Sequence, residues 1–213
     1  MDLHEALYTT RAMRRLRPDP IPLDVQARIL DAAIRAPTVA EQWRFILVDD
    51  RALMAQLAGL YRAASDRFLA GMGMTRDQMT SLPGQLGRAG RSATHLVEHF
   101  AEVPLLLIGF GRSSGAAGIY PALWSAMLAA RAEGVGATMT TMLADEMAPE
   151  VHALLGVPEE EGWVLYGAVP MGYPLGPWRL AQRQPIAQVV SRNGWDGDAG
   201  FTDTDPLWSP SEG

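Results

Sequence analysis

The spacing of apolar and polar positions divides the chain into alternating helices and strands. Leu3 to about Thr9 predicts a short first helix. Pro18, Pro20 and Pro22 then impose an extended connector, because proline pushes the residue before it out of the helical region. Asp24 to Arg35 puts Val25, Ile29, Ala32 and Ala33 on one stripe, the period of an amphipathic helix, which Ala36-Pro37-Thr38 ends. Trp43 to Val48 (WRFILV) predicts a strand, and about Arg51 to Ala64 a helix. Ala70 to Ala89, punctuated by Gly and Met and by Pro83-Gly84, predicts an excursion or short helices near a site. A helix from Ser92 to Ala101 leads into Pro104 to Phe110, an unbroken apolar run that predicts a buried strand.

The segment Gly118 to Thr141 carries the strongest pattern. Pro121 is expected in a first helical turn, where its missing N–H costs nothing. Leu123, Trp124, Met127, Leu128 and Ala130 make the helix apolar on nearly every face, and such a helix has little water around it. Gly134 stands where a left-handed cap would end it. Gly136 to Thr141 then predicts a strand with small polar side chains, followed by a short helix over Met147 to Leu155. A last strand, about Trp163 to Met171, precedes Gly172-Tyr173-Pro174. From Leu175 onward Pro, Gly and Asp predict an extended tail, and Trp178, Trp195 and Trp208 in it need a surface, such as that of another subunit.

Composition narrows the possibilities. With 213 residues, 48% apolar and 20% charged, the chain suits a single globular domain over residues 1–213 with a proper core. Arg131 and Glu133 break the longest apolar run below the roughly 18 residues of a membrane span, so no membrane partner is expected. The start, MDLHEALYTTR, lacks a basic-then-apolar leader pattern and predicts a cytoplasmic location. The absence of cysteine excludes disulfides, thiolate metal sites and cysteine nucleophiles. The net charge of −6 makes nucleic acid a poor partner. Against it Arg11, Arg14, Arg15 and Arg17 crowd together; every one of the 18 basic residues is Arg, so any cationic role falls to guanidinium. The cluster is either a solvated basic face or a phosphate clamp, whose forked donors match phosphate oxygens.

Other chemical motifs find little support. Gly109-Phe-Gly111-Arg-Ser-Ser-Gly115 is one residue too long for a dinucleotide loop, and no acidic residue follows about 20 positions on. His95 and His99 flank Glu98 in the wrong order for a zinc protease helix, and no third ligand is evident. Ser113-Ser114 has no nucleophile-elbow frame. Glu159 to Glu161 predicts a solvated loop.

Taken in order, several short motifs resemble the nitroreductase family. Thr10-Arg11-Ala12-Met13-Arg14-Arg15-Leu16 is similar to its R-S-x-R-x-F/Y opening, and Ala36-Pro37-Thr38 before Trp43-Arg44-Phe45-Ile46-Leu47-Val48 to its A-P-S/T turn and W-x-F-x-V strand. The helix from Tyr120 to Gly136 resembles Y-P-A-x-x-x-x-x-L-A-A-R-x-x-G-x-G. Gly156-Val157-Pro158, Gly172-Tyr173-Pro174 and the run from Arg183-Gln184-Pro185 to Trp195 resemble the remaining signatures, so the match spans almost the whole chain.

The resemblance implies an α+β flavoprotein with a central, mostly antiparallel sheet flanked by helices. It also implies an intertwined homodimer, with the tail from about residue 175 to 213 wrapping the partner subunit. FMN would sit at the dimer interface, be reduced by NAD(P)H and be reoxidised by nitroaromatics, quinones or similar small acceptors in a ping-pong cycle. Arg11 and Arg183 would neutralise the flavin phosphate, with Ala12 and Met13 beside it. Arg14 would approach the pyrimidine side of the ring, where charge gathers on reduction. Pro37, Thr38 and Val39 would pack on the ring from the partner subunit, and Thr140, Thr141, Met142 and Leu143 would run beneath it, a backbone N–H serving N5. The cofactor carries the chemistry, so no protein acid or base is implied.

The chain departs from the pattern in three places. Ala12 replaces the usual Ser, the Pro37–Trp43 turn is shorter and lacks its Asn, and no Lys is available near N1/O2. Two other classes stay open: a dehalogenating or flavin-destroying relative, and a non-catalytic flavin-binding dimer.

Overall fold

A computed structural model describes residues 1–38, 42–112, 116–201 and 208–209, with only the backbone at 116. The expectations that rest on Val39 and on Ser113-Ser114-Gly115 lie outside the described residues. The chain divides into two compact units, Met1–Arg11 with Trp178–Gly213, and Ala12–Pro177.

The larger unit is built on a four-stranded sheet of order β1-β2-β4-β3, antiparallel at every pairing. Its strands are β1 (Trp43–Val48), β2 (Leu105–Gly111), β3 (Gly136–Ala137) and β4 (Val164–Gly172). The α+β expectation therefore holds. Every residue of β2 is buried, because β2 is central and helices cover both faces of the sheet. Its alternate side chains feed two cores, as the two-residue period of a strand demands. Leu106, Ile108 and Phe110 pack with α3 (Arg51–Gly71), α5 (Gly84–Glu98), α7 (Met142–Glu146) and α8 (Ala148–Leu155), while Leu105 and Leu107 pack with α2 (Leu23–Ala33) and α6 (Ala116–Ala132).

Several boundaries differ from the sequence expectation. The helix α3 runs past Ala64 to Gly71, since no breaker intervenes before Gly73 turns the chain at φ 67°. Pro121 is interior to α6 rather than in its first turn. The expected strand Gly136–Thr141 shrinks to β3 plus a single bridge from Thr140 to Ala168. The expected helix Met147–Leu155 holds as α8, which starts one residue later, and a further short helix, α7, precedes it where the sequence pattern predicts none. α6 buries Leu123, Ala126, Met127 and Ala130, but leaves Trp124 and Leu128 half-buried and Tyr120 exposed.

The segment expected as an excursion or short helices folds into a short helix, α4 (Arg76–Ser81), and the first half of α5. Thr75 and Gln78 form a reciprocal capping box at the start of α4, satisfying two otherwise free backbone donors. Gly87 is what lets the α4–α5 turn close: a Cβ there would sit 1.7 Å from the Leu82 carbonyl oxygen. Substituting Gly87→Ala is expected to destabilise the protein by about 1–3 kcal/mol, read as a lower urea midpoint, because the backbone of the turn must shift.

In the smaller unit, α1 (Leu3–Thr9) starts with Asp2 accepting from the Glu5 N–H at 2.9 Å. The Ala181 N–H donates to the Tyr8 carbonyl at 2.7 Å. Trp195 is 92% exposed. Among the described residues no helix is long and apolar enough to cross a membrane.

Candidate functional site

The segment from Ala12 to Arg17 is laid along the outer edge of β3 and the end of β4. The Met13 N–H donates to Ala137 at 3.0 Å, the Arg17 N–H to Tyr173 at 2.7 Å, and Leu175 returns a bond to Arg15 at 3.0 Å. Extended backbone alternates its side chains, so Met13 is buried while Arg14 is sent into a cleft on the α3–α5 side. The cleft has a volume of about 240 Å³, and Arg14, Tyr61, Phe68, Thr140, Met142 and Asp145 are among its walls.

Arg14 is half-buried, and no carboxylate among the described residues pairs with it. Burial lowers its pKa, with the nearby Tyr61 opposing, yet a guanidinium stays charged at any physiological pH. A cation partly stripped of water and left without a counter-charge is costly unless a ligand brings electron-rich atoms to it. Tyr61, only 4% exposed, stacks on Phe100 with ring centroids 4.3 Å apart and donates its hydroxyl to Thr140 Oγ1 at 3.4 Å. Burial raises the phenol's pKa against the Thr140 hydrogen bond and the Arg14 charge, so Tyr61 remains a neutral donor.

The floor of the cleft is the run Thr138 to Met142. Thr140 exchanges both backbone hydrogen bonds with Ala168 at 2.9 Å, which pins the run to β4. The chain then turns into α7. The Thr141 hydroxyl donates to Asp145 at 2.6 Å, and the Met142 N–H reaches Thr140 Oγ1 at 3.4 Å. This leaves the Thr141 N–H without an acceptor among the described residues.

The structure thus brings Arg14, Thr140, Thr141 and Met142 together around one cleft. Met13 and Leu143 are buried at 6% and 1% and support the site from within the core rather than lining it. Ala12 is exposed. Pro37 and Thr38 lie against the start of α6, where a Cβ on Gly118 would be 3.4 Å from the Pro37 carbonyl oxygen. Arg11 and Arg183 both belong to the smaller unit; the Arg183 guanidinium donates to the Gln182 carbonyl at 2.9 Å. Tyr61 and Phe68 were not singled out from the sequence. They fall on the stripe of α3 that reads as core, and only the position of Thr140 distinguishes Tyr61 from Leu57.

The motifs set aside have structural explanations. Gly109 lies mid-strand in β2, where a Cβ would be 3.1 Å from Leu123, so it admits α6 close to the sheet. The His95 and His99 rings lie 4.3 Å apart, tilted at 35°; burial, His99 and Arg15 lower the His95 pKa.

The sequence profile of the nitroreductase family matches residues 7–173. A 5,6-dimethylbenzimidazole synthase from Rhodobacter capsulatus is 32% identical over 181 residues, covering 77% of this chain and 80% of the relative. An iodotyrosine deiodinase solved with FMN and 3-iodo-L-tyrosine superposes with a TM-score of 0.71 at 22% identity, covering 91% of this chain and 100% of the other. A nitroreductase with bound FMN from Bacteroides fragilis gives 0.65 at 23% identity, covering 90% and 99%. Both structures share the fold.

Proposed function

Because the chain belongs to the nitroreductase family, we propose that it is an FMN-dependent oxidoreductase passing electrons from NAD(P)H to small planar acceptors such as quinones or nitroaromatics. The unpaired, half-buried Arg14 over the Thr138–Met142 floor carries this reading, because it fits the electron-rich edge of a flavin ring. The FMN found in two of the similar structures supports it. When bound, FMN supplies the hydride chemistry. Over one cycle NAD(P)H gives two electrons and a proton, solvent gives a second proton, and a quinone leaves as its hydroquinone.

The chain's own residues have binding and electrostatic roles. Arg14 holds a fixed positive charge where the ring gains negative charge, and preorganised charge of this kind needs no rearrangement during the reaction. The Thr141 N–H offers a neutral donor in the same cleft, and Tyr61, whose hydroxyl donates to Thr140 Oγ1, steadies the floor beside it. Arg11 and Arg183 are the proposed phosphate ligands. A homodimer completes the site, with the tail from about residue 175 wrapped on the partner and Pro37, Thr38 and Val39 packed on the ring from the other subunit. Three features support that assembly. They are the half-buried Trp124 and Leu128 on α6, the outer edge of β1, which pairs with no second strand among the described residues, and the exposure of Ile186, Val189, Val190 and Trp195.

A second reading is favoured by the 32% identical relative, which is named a synthase. It gives the protein a different redox role, of the flavin-destroying or dehalogenating type. Aerobic and anaerobic NAD(P)H oxidation with a naphthoquinone and a nitroaromatic, with the flavin spectrum recorded before and after, separates the two. Acceptor-dependent oxidation with an undiminished flavin band is expected. Steady loss of that band in air would favour the second reading, and no oxidation with any acceptor would leave a non-catalytic flavin-binding protein.

A further inference from the structure

A second cavity of about 220 Å³ lies between α3, α4 and α5. It shares Arg14, Phe68, Ala93 and Met142 with the cleft, so the two are adjoining chambers of one site. Its own walls are mostly apolar, Leu69, Met79 and Leu86 joining Phe68, and include one further guanidinium, that of Arg76. Arg76 is not available to a ligand charge. Its Nη2 is ion-paired with Asp66, its Nη1 donates to Ser65 Oγ at 3.3 Å, and its side chain is only 19% exposed.

We propose that this chamber is the acceptor pocket and that it selects uncharged planar molecules, because the Arg76–Asp66 pair neutralises the guanidinium that, besides Arg14, could hold an anion there. The proposal rests on the FMN reading above, in which Arg14 serves the flavin. An anionic acceptor would then enter an apolar chamber with no free counter-charge, and shedding water without a partner is costly. The volume falls below the roughly 300–1,000 Å³ of pockets for drug-sized ligands, which suits one or two rings. Phe68 offers a ring face, and Met79 and Met142 offer polarisable sulfur. The roof is held in place by the capping box at Thr75 and by Arg91, whose Nη1 donates to the Thr80 carbonyl at 2.7 Å. The selection is therefore built into the folded chamber before a ligand arrives.

The test uses calorimetric titration of the oxidised, FMN-loaded protein without NAD(P)H, so that binding is read apart from turnover. Naphthoquinone is expected to bind at least about tenfold more tightly than naphthoquinone sulfonate. In Asp66→Asn the freed Arg76 charge should strengthen sulfonate binding by about tenfold and leave naphthoquinone nearly unchanged. Met79→Trp, which fills the chamber, should weaken both probes while the flavin band is retained. Equal affinity for the two probes in the unaltered protein, or no response to Asp66→Asn with FMN present, would overturn the chamber assignment alone. A preparation that neither contains nor takes up FMN would overturn the reading beneath it, and the acceptor pocket with it.

Discussion

Replacing Arg14 by alanine is expected to weaken FMN binding by about 10- to 100-fold, the worth of one hydrogen-bonded charge at a partly buried site. The bound flavin should also become harder to reduce, since the fixed cation no longer offsets the charge gained on reduction. The same substitution has an unusual signature in the flavin-free protein. Among the described residues Arg14 makes no ion pair, so its removal relieves an uncompensated desolvation cost. Thermal stability without FMN should hold or rise, while the stabilisation gained on adding FMN should shrink, because only ligand that binds the native state stabilises it. Flavin titration followed by fluorescence, paired with melting curves with and without FMN, checks both halves. A large drop in the melting temperature of the flavin-free variant would make Arg14 a structural residue.

The largest stability effect is expected from Phe100→Ala. Phe100 is fully buried in the core beneath α3 and forms the stacking face for Tyr61 at 4.3 Å. Truncation should cost about 3–5 kcal/mol from lost transfer energy and the cavity left behind. That is a large fraction of the roughly 5–15 kcal/mol typical of a folded domain. The loss also reaches the site. Without the ring beneath it Tyr61 can leave Thr140, so FMN retention should weaken even where the variant is still folded. Phe100→Leu keeps much of the volume and should recover most of the stability but not the stacking. Urea unfolding with flavin retention measured on the same samples separates packing from site geometry.

Much of this arrangement can be read directly from the chain. The apolar runs WRFILV and Pro104–Phe110 mark β1 and β2, and the crowding of arginine in Thr10–Leu16 marks the segment from which Arg14 enters the cleft. The failures have particular causes. Gly84, Gly87 and Gly90 lower helix propensity and hide the first half of α5. Gly87 and Gly90 are needed for tertiary reasons, since only glycine lets Leu82 and Met79 lie against that helix, while Gly84 takes the positive φ of 65° at its start. The polar run from Gly136 to Thr141 has the composition of a strand, but Thr140 is its last paired residue, and the chain turns there to begin α7. Tyr61 shares the spacing of Met54, Leu57 and Ala64 and is indistinguishable from core by period alone. The partnership of Asp66 with Arg76 spans two helices and has no local signature.

The account stands most directly on whether this chain holds FMN in the cleft beside Arg14. The decisive measurement is the visible absorption spectrum of the purified protein, before and after incubation with FMN and removal of the excess. The account predicts flavin bands at one FMN per chain, reduced sharply in Arg14→Ala. Absence of flavin absorbance in both samples would contradict it.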